Sequence, residues 1–227
     1  MPKKKDDEDV KMPKMITADK LFEEEKDVKI LPTDTPIDEL IGGGIRDNEV
    51  VEFYGEYGVG KTQISLTLAA KVASENHDVI YVDCENTFRP KRIWQIAESR
   101  CYNPEDVLSR IYVARPESVA QQVSLLDAIP ETIKPKLLIV DGLTCLFRAE
   151  YIGREQLYVR QPLLGRYLKK LKDYARENKV ATIVTNQVYA NPDGGTTFLP
   201  LEFRELAVGG HTLYHSIDNR IFIQKAK

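Results

Sequence analysis

Residues 55–62 read Gly-Glu-Tyr-Gly-Val-Gly-Lys-Thr, a match to the pattern G-x-x-x-x-G-K-[ST]. The stretch 50–54 before them, Val-Val-Glu-Phe-Tyr, predicts a strand, and the spacing of apolar residues after them predicts a helix from Thr62 to about Ala73. Glycines let the backbone wrap so that its N–H groups, together with the helix N-terminus, point at phosphate oxygens. The stretch therefore predicts a phosphate-binding loop, and a glycine-rich turn without a ligand is the alternative.

Two side chains of this loop carry specific chemistry. We expect the Lys61 ammonium to neutralise the β and γ phosphates of a nucleotide, and so to take part in catalysis, and the Thr62 hydroxyl to bind Mg²⁺. The residues predicted to bind the nucleotide are Gly55, Glu56, Tyr57, Gly58, Val59, Gly60, Lys61, Thr62 and Gln63.

Four further apolar segments alternate with helical patterns: 79–82, 111–113, 137–140 and 181–184. Each is continuously apolar, which is typical of strands buried on both faces of a parallel sheet. A helix is predicted over about 160–178, with Pro162 tolerated only in its first turn. The stretch 190–210, rich in Gly, Pro and Thr, predicts a long loop. The fold class is therefore α/β, a P-loop protein with a mostly parallel central sheet flanked by helices.

Polar side chains follow three of these strands at their carboxyl ends, where parallel sheets place ligands. Asp141 is predicted to hold Mg²⁺ through water. Glu85 is predicted to be the general base that activates an attacking water, with a solvated loop acid as the alternative, and Asp83 is a candidate buried structural partner. Gln187 either hydrogen-bonds the γ-phosphate or caps its strand.

The overall composition indicates one soluble domain. The chain has 227 residues, of which 42% are hydrophobic and 30% are charged, and its formal charge is −3. Apolar runs such as 137–140 are far shorter than the roughly 18–20 residues that cross a bilayer, and residues 1–5 lack a signal-peptide core. We therefore expect a cytoplasmic, nucleoid-associated protein, or a nuclear one if eukaryotic, with no membrane partner. The three widely spaced cysteines are expected to be reduced thiols.

Charge is distributed unevenly along the chain. Residues 1–39 carry eight lysines and twelve acidic residues, which predicts a solvated tail or linker at their start. Residues 148–176 carry eight basic and three acidic residues. This strip predicts salt-sensitive binding to nucleic-acid phosphates, with Tyr151 or Tyr158 available to stack on an unpaired base. The alternative, a solvated helix face, applies most to three lysines of the predicted helix: Lys169, Lys170 and Lys172.

Several ordered motifs resemble one known family, the archaeal RadA recombinase and its eukaryotic counterparts. The motifs are DCENTFRP at 83–90, FRAEYIGR at 147–154, TNQV at 185–188, GGH at 209–211 and HS at 215–216. The resemblance extends from about residue 15 to the end of the chain.

The resemblance implies a RecA-type ATPase core that uses ATP and Mg²⁺, coats single-stranded DNA as a filament and pairs it with duplex DNA during strand exchange. Glu85 matches the catalytic glutamate and Gln187 the γ-phosphate sensor. Residues 148–160 and 189–208 match two DNA-binding loops. The residues predicted to contact DNA are Arg148, Tyr151, Arg154 and Arg160.

The chain also departs from the family pattern. An acidic tail stands where members carry a small helical DNA-binding domain, and Met15-Ile16-Thr17-Ala18 aligns with the Phe-x-x-Ala segment that plugs into a neighbouring subunit. The receiving region 114–117 differs, no Asp-Pro cap is evident at 202–207, and the chain ends before the family's last strands. We therefore predict a charged tail and interprotomer linker at 1–29 and a RecA-like core at 30–227.

Three interpretations of the function stay open on the sequence. The leading one is an ATP-dependent recombinase core that acts in homologous recombination and DNA repair. The second is a paralogue without the N-terminal domain that binds ATP and DNA and assists another recombinase in a hetero-assembly. The third is an interaction module that nucleotide stabilises.

Overall fold

A computed structural model of the chain describes residues 15–190, 205–207, 213 and 216–225. The helices are α1 Ala18–Lys26, α2 Ile37–Ile41, α3 Lys61–Ser74, α4 Pro90–Ser99, α5 Pro104–Ser109, α6 Val119–Ser124, α7 Cys145–Glu150 and α8 Leu157–Asn178. The strands are β1 Ile30–Leu31, β2 Ile45–Arg46, β3 Val50–Gly55, β4 Asp78–Asp83, β5 Ile111–Ala114, β6 Pro135–Asp141, β7 Ala181–Ala190, β8 Glu205–Ala207 and β9 Asn219–Phe222. Short 3-10 turns at Leu125–Ala128 and Arg154–Gln156 follow α6 and precede α8.

The central sheet runs in the order β5-β4-β6-β7-β3-β9, and every pair along this path is parallel. β8 adds an antiparallel partner to the end of β7, and β1 pairs with β2 in a separate small sheet. The register sets Asp83 opposite Asp141 and Gly55 opposite Gln187. The carboxyl ends of four strands therefore meet at one edge of the sheet, and this confirms the predicted RecA-like α/β fold.

Two hydrophobic clusters cover the two faces of the sheet, because successive strand residues point to opposite sides. Val79 and Tyr81 of β4 pack with α3, α4 and α5, whereas Ile80 and Val82 pack with α6, α7 and α8. The same alternation holds in β6 and β7. The continuous apolar runs in the sequence reflect this burial on both faces.

Most predicted elements agree with the structure to within one or two residues at their predicted ends. The predicted position of Pro162 is wrong, since α8 begins at Leu157 and the proline lies one turn inside it. A proline there removes one helical hydrogen bond at a cost of about 3 kcal/mol. The helix persists because its inner face is buried, with Leu164, Leu168 and Leu171 nearly inaccessible to solvent.

The loop predicted over 190–210 is also partly wrong. β7 continues to Ala190, and residues 205–207 form β8 against it. Val188 and Tyr189 favour strands, a local preference that the glycine-rich composition of the wider window concealed. The remainder of that predicted loop, residues 191–204 and 208–210, lies outside the described residues.

The described part of the predicted tail, residues 15–29, includes helix α1, and all residues of α1 are exposed. Residues 1–14 lie outside the described part of the chain. No helix among the described residues is long and apolar enough to span a bilayer. All three cysteines are free, as predicted, with Cys84 buried, Cys145 half-buried and Cys101 exposed.

Candidate functional site

The loop between β3 and α3 has backbone conformations that need glycine. Gly58 and Gly60 have φ values of +75° and +104°, a region that residues with a side chain rarely adopt. A Cβ placed on Gly55 would lie 2.1 Å from the carbonyl oxygen of Ile223, so the residue after β9 packs directly against the start of the loop. The strand, loop and helix thus have the geometry that a phosphate site at the head of α3 requires, and we call the loop, residues 55–62, the cradle.

Lys61 is the first residue of α3, and its side chain folds back along the loop. The Nζ atom donates to the carbonyl oxygens of Gly55 at 2.9 Å and Glu56 at 2.7 Å. Burial lowers the pKa of Lys61, and the nearby carboxylates of Glu85 and Asp141 oppose that shift. The charge is therefore held within the cradle, at the place that the motif predicts.

Asp141, the last residue of β6, is buried and accepts hydrogen bonds from three side chains. Its Oδ1 accepts from the Thr62 hydroxyl at 3.1 Å and from the Thr185 hydroxyl at 2.6 Å, and its Oδ2 accepts from Tyr81 at 2.7 Å. Burial and the adjacent carboxylate raise the pKa of Tyr81, so its hydroxyl keeps its proton and remains a donor. Asp141 therefore fixes Thr62 at the mouth of the cradle.

The oxygen atoms of this corner suit Mg²⁺, which prefers hydroxyl, carboxylate, water and phosphate oxygens. Thr62 lines the cleft and would supply the hydroxyl ligand. Asp141 is only 1% exposed, so it would act from behind Thr62 or through water, as the sequence predicts. The donor set fits the ion that the motif implies.

Glu85 and Gln187 form a hydrogen-bonded pair that lines the same cleft as Lys61 and Thr62. The Gln187 amide Nε2 donates to Glu85 Oε1 at 3.0 Å, which leaves the second carboxylate oxygen available to another hydrogen-bond donor. Burial and the charge of Asp141 raise the pKa of Glu85, whereas Gln187 and Lys61 lower it. A half-buried carboxylate of this kind suits a general base better than the solvated loop acid that the sequence also allowed.

Asp83 has a structural role, one of the possibilities open from the sequence. Its buried carboxylate accepts the backbone N–H groups of Thr87 at 2.9 Å and Phe88 at 3.0 Å. These bonds close the turn that carries Glu85. Asp83 and Glu85, two residues apart, thus have different environments and different tasks.

The cradle and the Glu85–Gln187 pair enclose one cleft of about 320 Å³. Its walls include Tyr57, Gly60, Lys61, Thr62 and Gln63 from the predicted nucleotide-binding residues. A second cleft of about 280 Å³ shares Glu85, Asn186 and Gln187 with the first and continues to Arg148 on α7. The structure therefore places one predicted DNA-binding residue in the same cleft as the Glu85–Gln187 pair.

The basic segment, residues 148–176, comprises the predicted DNA contacts at 148–160 and the three lysines of α8. Arg148 and Arg154 are exposed, whereas Arg160 is half-buried and donates to the carbonyl oxygen of Tyr151 at 3.3 Å. Tyr151 packs against the hydrophobic cluster of α6 to α8, while Tyr158 is 77% exposed. Of the two aromatic candidates, Tyr158 is the ring that the described surface presents.

Each of the three lysines of α8 pairs with an acid. Lys169 contacts Asp173 at 3.0 Å, and Lys172 contacts Asp218 at 2.6 Å. Lys170 pairs with Asp127 and donates to the carbonyl oxygen of Val123. This pairing is typical of a solvated helix face, the alternative that the sequence analysis kept open.

Sequence reasoning missed several residues that hold the site. Tyr81 and Thr185 bind Asp141, but Tyr81 belongs to an apolar run, where it resembles an ordinary core residue, and Thr185 directly follows one. Asn186 donates to Glu52 at 2.8 Å and accepts the hydroxyl of Thr144 at 2.9 Å, so it ties β7 to β3 and to the start of α7. Only the strand register brings these residues together, and one sequence does not reveal that register.

A protein-family model described as Rad51 matches residues 24–227. The matched range includes the cradle, the Glu85–Gln187 pair and the basic segment.

Proposed function

The chain belongs to the Rad51 family, and on that premise we propose that it is an ATP-dependent recombinase core that binds single-stranded DNA in homologous recombination and DNA repair. At the coarser level, the family indicates a recombination and repair ATPase of the RecA type. Beyond that general role, we propose that this chain hydrolyses ATP, that hydrolysis is coupled to DNA binding, and that specific residues carry each activity.

One observation carries the catalytic part: the phosphate cradle and the Glu85–Gln187 pair line a single cleft. Hydrolysis needs a site that holds the γ-phosphate and a base that faces the phosphorus from the side opposite the leaving ADP. Lys61, Thr62 and Glu85 all line this cleft. A half-buried carboxylate in the same cleft as the phosphate-binding groups supports hydrolysis more than passive nucleotide binding.

We propose the following division of labour. Glu85 accepts a proton from water as the water oxygen bonds to the γ-phosphorus, and the bond from that phosphorus to the β-phosphate oxygen breaks as ADP leaves. Gln187 orients the Glu85 carboxylate through its amide and can donate to the γ-phosphate instead. Lys61 stabilises the charge that develops on the phosphate oxygens.

Thr62 and Asp141 would hold Mg²⁺, and the ion would screen the charge between the β and γ phosphates. Tyr81 and Thr185 keep the Asp141 carboxylate in a fixed orientation. The backbone of Gly58 and Gly60 would surround the phosphates without side-chain obstruction, because space around both glycines is open.

For DNA, we propose that Arg148, Arg154 and Arg160 contact phosphates and that an aromatic ring of the same segment stacks on a base. The second cleft supports coupling, since it joins Arg148 to Glu85 and Gln187. Because Gln187 can exchange Glu85 for the γ-phosphate, a change at the nucleotide would alter a wall of the cleft beside Arg148.

We also propose assembly of several copies into a filament. β5 lies at one end of the central sheet, and Tyr112 and Val113 are exposed along it. Met15, which aligns with the family's plug residue, is 99% exposed. A methionine fills an aromatic socket with less contact area, so we expect a weaker contact between subunits than an aromatic plug would give.

The test combines ATP turnover with particle size, with and without single-stranded DNA, at two salt concentrations. We expect DNA-stimulated hydrolysis and DNA-dependent filaments, both lost in Lys61→Ala and retained in the matched surface variant Lys169→Ala. Particles that stay monomeric with ATP and DNA present would favour the assisting paralogue. Negligible turnover under every condition would favour the nucleotide-stabilised interaction module.

A further inference from the structure

Arg115 contacts the turn that carries Glu85, although it belongs to a different part of the sheet. It directly follows β5, and its Nε donates to Asp83 Oδ2 at 3.3 Å. Its Nη2 donates to the carbonyl oxygen of Phe88 at 3.1 Å. One guanidinium thus reaches both the first residue of the turn and the last.

Several hydrogen bonds hold the turn between these two residues. The Asp83 carboxylate has no exposed surface and accepts the N–H groups of Thr87 and Phe88. Phe88 is buried, and its ring lies 4.9 Å from that of Tyr81. Within the turn, the Cys84 N–H donates to the Asp141 carbonyl oxygen at 3.0 Å, and Asn86, whose carbonyl oxygen accepts from Arg89 at 3.0 Å, adopts a left-handed conformation with φ of +59°. Glu85 is therefore placed by a tight turn, and Arg115 contacts that turn at both of its ends.

We propose that Arg115 is a positioning residue for Glu85, acting through Asp83 and Phe88. The inference rests on the proposed function, because it gives Arg115 a task only if Glu85 is the general base. A planar guanidinium donates in two fixed directions, here to a carboxylate oxygen and to a carbonyl oxygen. A lysine ammonium keeps the charge but cannot reproduce that fork, so geometry rather than charge is the property at stake.

The strand offers a matched control in Arg110. This arginine precedes β5 and pairs with Asp78, the first residue of β4, at 3.7 Å. Its ion pair joins the same two strands at their opposite ends, away from the cleft. A general loss of contact between β4 and β5 would affect Arg110 and Arg115 variants alike, whereas a positioning effect is specific to Arg115.

The experiment compares kcat and KM for ATP, with single-stranded DNA present, in wild type, Arg115→Ala, Arg115→Lys and Arg110→Ala. We expect Arg115→Ala to lower kcat by about tenfold to a hundredfold, since displacement of a catalytic group by about 1 Å has effects of that size. KM for ATP should change by less than about twofold, because the cradle is untouched. Arg115→Lys should lie nearer to Arg115→Ala than to wild type, and Arg110→Ala should match wild type.

Several outcomes would overturn the inference. A kcat of Arg115→Ala within about twofold of wild type excludes the positioning role. Full activity of Arg115→Lys also excludes the positioning role, and this variant decides the question if Arg115→Ala does not fold. Equal losses in Arg110→Ala and Arg115→Ala would show a structural role alone. Absent turnover in the wild-type chain would overturn the proposed function, and this inference with it, whereas normal wild-type turnover isolates the failure to Arg115.

Discussion

Glu85 is a carboxylate on which burial, charge and hydrogen bonding act in opposite directions. Burial and Asp141 raise its pKa, and the charge of Asp83 acts in the same sense. Gln187 and Lys61 favour its charged form and lower the pKa, but the raising effects are larger. The residue is therefore poised to take up a proton more readily than an exposed glutamate.

The pH profile of kcat tests this balance. A general base works only when it is deprotonated, so kcat should fall as the pH drops through the raised pKa of Glu85. We expect the acid limb to lie above the usual range of a glutamate side chain. Gln187→Ala removes a bond that lowers the pKa and should move the limb to higher pH. A limb in the usual range, or a downward shift in the variant, would contradict the balance described.

Gly142 gives a second prediction at the residue scale. Its φ is +82°, and an added Cβ would lie 2.5 Å from Cγ of Glu85. We expect Gly142→Ala to cost about 1–3 kcal/mol of stability and to lower kcat, because Glu85 must move. Gly43→Ala is the control, since that φ is +109° but the nearest side-chain atom is 4.0 Å away.

Urea unfolding and kcat together separate the two glycines. Both substitutions introduce backbone strain, so both should lower the free energy of unfolding. Only Gly142→Ala should also lower kcat per folded molecule. Equal kcat values in the two variants would show that the space beside Glu85 is not restricted.

The sequence predicts residues of this site that come after an apolar run, but not those inside one. Glu85, Asp141 and Gln187 stand where a buried run ends, and that position alone marks them. Tyr81 stands inside such a run, where an aromatic ring has a sufficient explanation in the core. Its hydroxyl donates to Asp141, and this contact depends on the strand register that sets Asp83 opposite Asp141.

Among the elements, α8 and the segment before it differ in how their positive charges are compensated. Lysines of α8 contact carboxylates. Arg148 lines the second cleft, Arg154 lies six residues later in the chain, and both side chains are exposed. An arginine that contacts a phosphate displaces condensed counterions from single-stranded DNA. Net charge along the sequence does not distinguish these two situations.

The salt dependence of DNA binding distinguishes them. We expect Arg148→Ala and Arg154→Ala each to reduce the slope of log affinity against log salt by about 0.7, the value for one phosphate contact on a single strand. Lys169→Ala should leave the slope unchanged because its partner is Asp173. Fluorescence anisotropy with a labelled oligonucleotide and ATP measures each slope. Equal effects of the lysine and arginine variants would mean that α8 contacts DNA phosphates as well.

Element boundaries show why the prediction of secondary structure was incomplete. Continuous apolar runs identified the strands because both faces of the sheet are covered. The start of α8 and the extension of β7 were missed because each depends on distant packing: the buried face around Leu168 and the pairing with β8. Local composition favours a helix that starts close to Pro162 and a loop that starts at Ala190. Tertiary contacts override both preferences.

At the scale of the whole molecule, the nucleotide should act as a stabilising ligand. A ligand at 100 times its Kd adds about 2.7 kcal/mol to the free energy of unfolding. For a chain of this size, each kcal/mol raises Tm by about 2–4 °C, so ATP with Mg²⁺ should raise Tm by about 5–11 °C.

A thermal melt with and without ATP and Mg²⁺ measures this shift. Lys61→Ala should abolish most of it, while Lys169→Ala should retain it. A shift that persists in Lys61→Ala would mean that the ligand binds elsewhere. This measurement does not depend on DNA or on turnover, so it tests the cradle separately from catalysis.

The general architecture followed from the sequence, but the strand order did not. Each buried run predicts one strand of a mostly parallel sheet, and the P-loop fixes which edge binds the ligand. The order β5-β4-β6-β7-β3-β9 depends on contacts between residues far apart in the chain. Such contacts leave no periodic pattern in a single sequence.

The position of β3 between β7 and β9 affects the order in which parts of the molecule fold during synthesis. Val50 donates its N–H to Asp218, a residue 168 positions later, so the strand that leads into the loop 55–62 gains this neighbour only after all the other central strands have been synthesised. Non-local pairing of this kind is slow to form. On the ribosome, the helices around β4 and β5 can assemble before β9 is made, and the nucleotide cleft should mature after them.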